Sequence, residues 1–187
     1  MVGFTFILAF FVAHAPTKSK INLSSYYIGF FWIFTPTWLS YGFNGGCLIV
    51  FSRFIAIKDY KSLKIVFGHG LLCAIFYNLI YLIYITIIYI CIPYIYSNEP
   101  EYINEVKAFL LYSPIGFLLY PYVDLARNLF IANGCIGQAL FIEFLGLINC
   151  IFFGWLLIIN FDMGLLGIAL SLSFTIYLTV SLYYGYY

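Results

Sequence analysis

Charge is scarce in this sequence. Eight Lys and Arg and seven Asp and Glu make up 8% of 187 residues, against roughly a quarter in ordinary soluble domains. The formal net charge is +1, and no basic patch is large enough for nucleic acid, so no nucleic-acid partner is expected. Histidine is nearly missing. His14 and His69 stand alone, and neither is assigned a metal or a proton-transfer role. The five cysteines, Cys47, Cys73, Cys91, Cys135 and Cys150, form no CxxC or Cys/His group. That excludes the usual signatures of a metal centre or a disulfide framework and leaves them as small apolar side chains. No Ser, Cys or His has a neighbour in sequence that would support catalysis, so neither an enzyme nor a cofactor is expected. Low-complexity tracts and a soluble domain are also missing.

Apolar residues fill the space that charge leaves. The chain is 65% hydrophobic and 23% aromatic, with a mean hydropathy of +1.03, more apolar surface than a water-soluble domain can bury. Several apolar runs reach the roughly 20 residues that a helix needs to cross about 30 Å of hydrocarbon. The expected fold is therefore all-α: one polytopic transmembrane helix bundle over residues 1–187, with a partial helix at 1–14 and five spans. These are placed at about 23–57, 63–96, 102–132, 137–159 and 164–187. The first run, Val2 to Ala13, is about 18 Å long as a helix, too short to span alone. It is either a cut helix or a signal peptide with a small-residue site at "AHA", although no Lys or Arg precedes its apolar core. The run from Leu23 to Ile57 is too long for one upright span and contains Pro36, so a single tilted or kinked helix is expected.

The connecting segments alternate in charge. Arg53, Lys58, Lys61 and Lys64 follow the second span, the acidic "SNEPEYINE" follows the third, Arg127 closes the fourth and Asp162 follows the fifth. The positive-inside rule places residues 53–64 and 124–134 on the cytoplasmic side and 16–22, 97–105 and 160–164 on the other. Lys18 and Lys20 are the exception. The lipid bilayer is thus the first partner, at the plasma membrane or a vacuolar or other organelle membrane.

Four constellations stand out. Gly42, Gly46 and Arg53 share one helical stripe, which reads as a packing face ending in an interfacial arginine, with Asn44 off the stripe and able to face a polar cavity. Gly164, Gly167, Ser171 and Thr175 repeat the pattern in the last span, mostly as packing, with hydroxyls that could line a water path. Asp124 and Arg127, three apart, can pair on one helix face, as a local ion pair or as a gate that opens between states. Glu143 interrupts "ALFIEFLGLINC". It shares a stripe with Ala139, Gly146, Cys150 and Gly154, while Gln138, Ile142, Leu145 and Asn149 share another. A carboxylate among the smallest side chains faces a neighbouring helix rather than lipid, as a hydrogen-bonded packing residue or as a proton site.

In order along the chain these segments resemble the multidrug and toxic compound extrusion family, MATE, and specifically its amino-terminal six-helix lobe. "FFVAHAPTKSKINLSSYYIGFFWIFTPTWLSYGFNGGCLIVFSRFIAIKDYKSLK" is similar to the end of the family's first helix through its second and the following loop. "DLARNLFIANG" is similar to the end of the fourth, and "LINCIFFGWLLIINFDMGLLGIALSLS" to the fifth and sixth. The resemblance implies half of a twelve-helix secondary antiporter that exports organic cations, drugs or metabolites in exchange for protons or sodium, and a carboxyl-terminal lobe as partner. On it, Asn149, Gln138, Glu143 and Asn44 are expected at a central substrate or ion cavity, and Asp124 and Arg127 at its cytoplasmic mouth. The chain departs from the family in the missing first half of helix one, in Phe153 where many prokaryotic relatives carry Asp, and in the absent second lobe. A fragment is therefore expected. The alternatives are a non-transporting truncated membrane protein, and a flippase-like member of the same superfamily. The latter would carry a cluster of cavity arginines, for which only Arg53 and Arg127 could serve.

Overall fold

The computed structural model describes residues 2–14, 19–96 and 100–186, with the backbone alone at 2–6, 19–22 and 100–102. The segment holding Lys18 and residues 97–99 of the acidic connection lie outside the described residues, as does the side chain of Lys20. The described chain is helical throughout its regular structure: α1 (Val2–Ala13), α2 (Ser19–Phe34), α3 (Thr37–Ala56), α4 (Tyr60–Ile95), α5 (Pro100–Tyr112), α6 (Pro114–Phe117), α7 (Tyr120–Ala132), α8 (Ile136–Gly154) with a π-helical extension (Trp155–Asn160), and α9 (Gly164–Gly185). Helix is the required choice here, because hydrocarbon offers no water to satisfy a backbone N–H or C=O and a helix pairs nearly all of its own. Four stretches are long and apolar enough to cross a membrane: Tyr60–Ile95, Ile103–Ala132, Ile136–Asn160 and Gly164–Gly185. The outward faces carry large apolar side chains such as Ile49, Phe76, Ile83 and Phe141, each at least 60% exposed, which lipid covers rather than water.

Chain direction divides the bundle into two ends. Residues 57–59, 133–135 and the end of α9 lie at one end, here called the basic end because Arg53, Lys58, Lys61 and Lys64 gather there. The opposite end holds the turn at 161–163. Both corners at the basic end are three residues long. The backbone turns through Lys58 (φ 57°) and Gly134 (φ 77°), and the amides of Asp59 and Cys135 reach back to the carbonyls of Phe54 and Phe130 at 3.0 and 2.9 Å, closing each helix with a left-handed cap. Asp59 then starts α4. Its carboxylate accepts from the Ser62 amide at 3.1 Å and the Ser62 hydroxyl at 2.6 Å, and these bonds hold it below the usual carboxylate range.

Two spans are broken, and in each the freed carbonyl finds a side chain. Where the sequence reads one long tilted or kinked helix, the chain forms α2 and α3 around Pro36, which has no N–H and whose ring clashes with the preceding turn. The Trp38 amide bonds the Thr35 carbonyl at 3.4 Å instead of that of Phe34, and the Thr37 hydroxyl takes the Phe34 carbonyl at 2.5 Å. The span at 102–132 breaks into α5, α6 and α7 at Pro114 and Pro121. There the Tyr122 amide bonds Leu119, and the Asn78 amide group of α4 donates to the Leu118 carbonyl at 2.9 Å. These bonds meet the requirement that broken backbone at membrane depth be re-satisfied by its neighbours.

Packing is built on α8 against α9, α3 against α7 and α2 against α5. The largest core joins α1, α2, α4, α5, the end of α8 and the start of α9, with Leu8, Tyr26, Ile92, Phe109 and Ile168 fully buried. Two smaller cores flank α7 toward the basic end. One joins α7 to α8 and α9, the other joins it to α3 and α4. Gly116 sits where α6 meets α9, and a Cβ there would lie 2.6 Å from Ser173 Cα. The expected packing stripe on α3 is a correction. Gly42 and Gly46 are exposed, with no atom within 4 Å of an added Cβ, because α3 turns its opposite face, Ser40, Asn44, Cys47 and Phe51, into the bundle. In α9 the stripe does pack, with Gly167, Ser171 and Thr175 buried.

Gly116→Ala should therefore cost about 1–3 kcal/mol by overpacking, while Gly46→Ala should be neutral or slightly stabilising. Unfolding of the purified protein in mixed micelles, followed by circular dichroism, measures both. Equal losses would show that the face of α3 is packed after all.

Candidate functional site

The ionisable groups that the sequence scatters over α7 and α8 meet in space. Asp124 is fully buried, and its Oδ1 accepts a hydrogen bond from Arg127 Nη2 one turn further along α7. On its other side the guanidinium reaches Glu143 of α8, with Nη1 3.8 Å from Oε1. Arg127 is thus held between two carboxylates. Its side chain is 27% exposed and that of Glu143 28%, so the base and the second acid keep an opening that Asp124 lacks. The three groups lie five to eight residues from the helix ends at the basic end, roughly 8–12 Å inward. That is deeper than a snorkelling interfacial pair, and depth makes unpaired charge costly.

Polar side chains from three helices close around this set. Tyr41 of α3 and Tyr120 of α7 share a hydrogen bond between their hydroxyls, their rings at 71° with centroids 5.7 Å apart. Asn44 is buried and donates to Ser40 Oγ at 3.1 Å, while Asn128 donates to its carbonyl at 2.8 Å, which clamps α7 to α3. From α9 the Tyr183 hydroxyl reaches the Ala139 carbonyl at 3.2 Å and Glu143 Oε1 at 3.4 Å. Asp124 Oδ2 is buried with no hydrogen-bond partner among the described residues. Such an orphan acceptor is expensive unless a proton, ion or water serves it.

A small cavity opens beside the trio, lined by Tyr120, Arg127, Glu143, Thr175 and Thr179 among others, with a volume of about 30 Å³. That accommodates a water or two but no organic cation. In this conformation the site can therefore exchange a proton, a small ion or water.

Of the expected site residues, Asn44, Asp124, Arg127 and Glu143 come together. Glu143, expected at the cavity, and Arg127, expected at its mouth, lie in contact. Asn149 sits one level further along α8, its amide 3.5 Å from the Thr175 hydroxyl. Gln138 lies elsewhere, exposed at the start of α8 beside a surface groove with Phe141 and Tyr186. Phe153 stacks on Phe174 with centroids 4.9 Å apart, an apolar contact. Arg53 is exposed on α3, away from the trio. Sequence reasoning missed Tyr41, Tyr120, Asn128 and Tyr183. The last was within reach, because the small-to-polar stripe of α9 continues through Thr179 to Tyr183 at the same spacing of four. Among the described residues no group of three or more His, Cys, Asp or Glu could hold a metal ion.

An all-helical bundle with four apolar spans and an acid–base–acid set anchored on the buried Asp124 defines an integral, multi-pass membrane protein. The family model MatE matches residues 1–156, from α1 to the π-helical extension of α8 and so across Asp124, Arg127 and Glu143. The chain belongs to the MATE family, whose members are transporters and not enzymes. No curated protein and no solved structure matches it.

Arg127→Gln should remove the basic group that, among the described residues, pairs with the two carboxylates and cost about 3–5 kcal/mol of stability. Asp124→Asn in the same chain should restore part of that loss. Denaturation in mixed micelles of the single and double variants checks this, and an additive double variant would show that the pair is uncoupled.

Proposed function

We propose that the chain acts in secondary antiport, exporting a small organic cation, drug or metabolite in exchange for protons or sodium, together with a second, carboxyl-terminal lobe. The trio carries this reading. With all three groups ionised, Asp124, Arg127 and Glu143 sum to −1, and one proton or one monovalent cation neutralises the set. Neutrality is strongly favoured at hydrocarbon depth, so the two occupants exclude each other. The cavity of about 30 Å³ is too small for the organic substrate, so the trio serves as the site of the coupling ion and the substrate binds elsewhere in the complete transporter.

In this reading Glu143 is the exchanging carboxyl, since it has the looser contact with Arg127 and lines the cavity. Asp124 anchors the guanidinium, and Asn44 and Asn149 extend the polar path along α3 and α8. Gln138 is assigned to the mouth of that path at the basic end. The Asp124–Arg127 pair is the gate element: loss of charge on Glu143 frees one side of the guanidinium and lets α8 move against α7.

The test is efflux of a fluorescent cationic substrate from proteoliposomes holding the complete transporter, driven by an imposed pH or sodium gradient. Glu143→Gln should abolish the dependence of the rate on pH or sodium and lower the rate by tenfold or more, while the protein remains folded. An unaltered pH and sodium profile would make Glu143 a packing residue.

A further inference from the structure

Where α4 and α9 flank α7 at the basic end, a groove of about 460 Å³ separates the two smaller cores. Its size is that of a small-molecule site, about 300–1,000 Å³. The walls are apolar: Leu63 and Phe67 of α4, Leu129 of α7, and the rings of Tyr60 and Tyr184. One charged side chain lines it, Lys64, exposed and one turn beyond Tyr60 on the same face of α4. The groove thus has a greasy body and a single cation, at the level where α4 leaves the membrane.

The surroundings have the same sign. Arg53, Lys58, Lys61 and Lys64 fall within twelve residues around the α3–α4 corner. Among the described residues no ion pair joins one of these four to a carboxylate. Asp59, the acid among them, keeps its negative charge while accepting from Ser62, which leaves the corner at a net +3. The tight turn at Lys58 holds the cluster at the rim of the bundle. Four basic groups beside a membrane-spanning helix attract anionic headgroups, each contributing about 1 kcal/mol near the surface.

We infer that this groove is a binding site for one anionic phospholipid, its phosphate held by Lys64 under the field of Arg53, Lys58 and Lys61, and an acyl chain laid against Leu63, Phe67 and Leu129. The site is separate from the acid–base–acid set but is coupled to it through α7 and α9. Tyr183 lines the groove and also hydrogen-bonds Glu143, so an occupied groove braces the tyrosine beside the proposed exchange site. The inference rests on the chain lying in a bilayer and not on the antiport reading.

Native mass spectrometry of the purified full chain, released from detergent after titration with defined lipids, tests it. A long-chain phosphatidylglycerol should stay bound as one adduct, with at least tenfold preference over phosphatidylcholine of the same chain length. Lys64→Gln should weaken that adduct about fivefold, while Lys107→Gln, at the opposite end, should leave it unchanged. Leu129→Trp, which fills the groove and keeps every charge, should also weaken it, with far-UV circular dichroism confirming the fold. Four outcomes overturn the site: equal retention of the two lipids, no effect of Lys64→Gln, displacement by inorganic phosphate at the lipid's concentration, or a lipid-free dimer as the main species. Phosphate displacement would mean a headgroup site without the groove, and the dimer would mean that a second copy covers this face.

Discussion

In hydrocarbon a polar group must find its partner inside the protein, and that constraint shapes this chain at every level. It selects helix for all of the regular structure described, because only helices satisfy their own backbone without neighbours. It decides how the two broken spans survive. Pro36 and Pro121 each disrupt a carbonyl that the helix would otherwise cover, and Thr37 and Asn78 supply the missing donors. It also decides where the charges go. Asp124, Arg127 and Glu143 are dispersed in sequence, yet each meets its nearest opposite charge in the same layer of the bundle.

The same constraint separates a structural ion pair from one able to act. Asp124 and Arg127 alone would form a closed pair one helical turn apart, neutral and self-contained. Glu143 adds a second acid from another helix and leaves the group with an odd charge count. A set that needs one more positive charge to become neutral has a built-in appetite for a proton or a cation, and the adjoining cavity of about 30 Å³ admits only such small occupants. The tyrosine pair, the Asn128 clamp and Tyr183 fix the three helices around it. In the proposed antiport, occupancy of the site and relative helix position are linked.

Much of this was legible in the sequence, for particular reasons. Composition and run length fix the all-α membrane class, since no other fold accommodates so apolar a chain with so few turns. The spacing of Asp124 and Arg127 gives their pairing directly, because residues three apart share a helix face. The small side chains around Glu143 put it against another helix. What the sequence could not give was which helix. The contact between Glu143 and Arg127 depends on the rotation of α8 against α7, set by burial of Ala139, Ile142 and Gly146. The α3 stripe misled for the same reason. Gly42 and Gly46 are well spaced for packing, but Ser40, Asn44 and Cys47 compete for the inward face and win it through the bond to Asn128.

The central claim is that the trio serves transport and not stability. Replacing all three together by apolar residues of similar size, Asp124→Leu, Arg127→Met and Glu143→Leu, separates the two roles, since removing a complete buried ion network is often neutral or stabilising. The measurement is ion-coupled efflux by the triple variant of the complete transporter in proteoliposomes, alongside its thermal unfolding midpoint. The account predicts an unfolding midpoint equal to or above that of the parent and coupled efflux at the level of empty liposomes. Efflux retained with its pH or sodium dependence intact would contradict it.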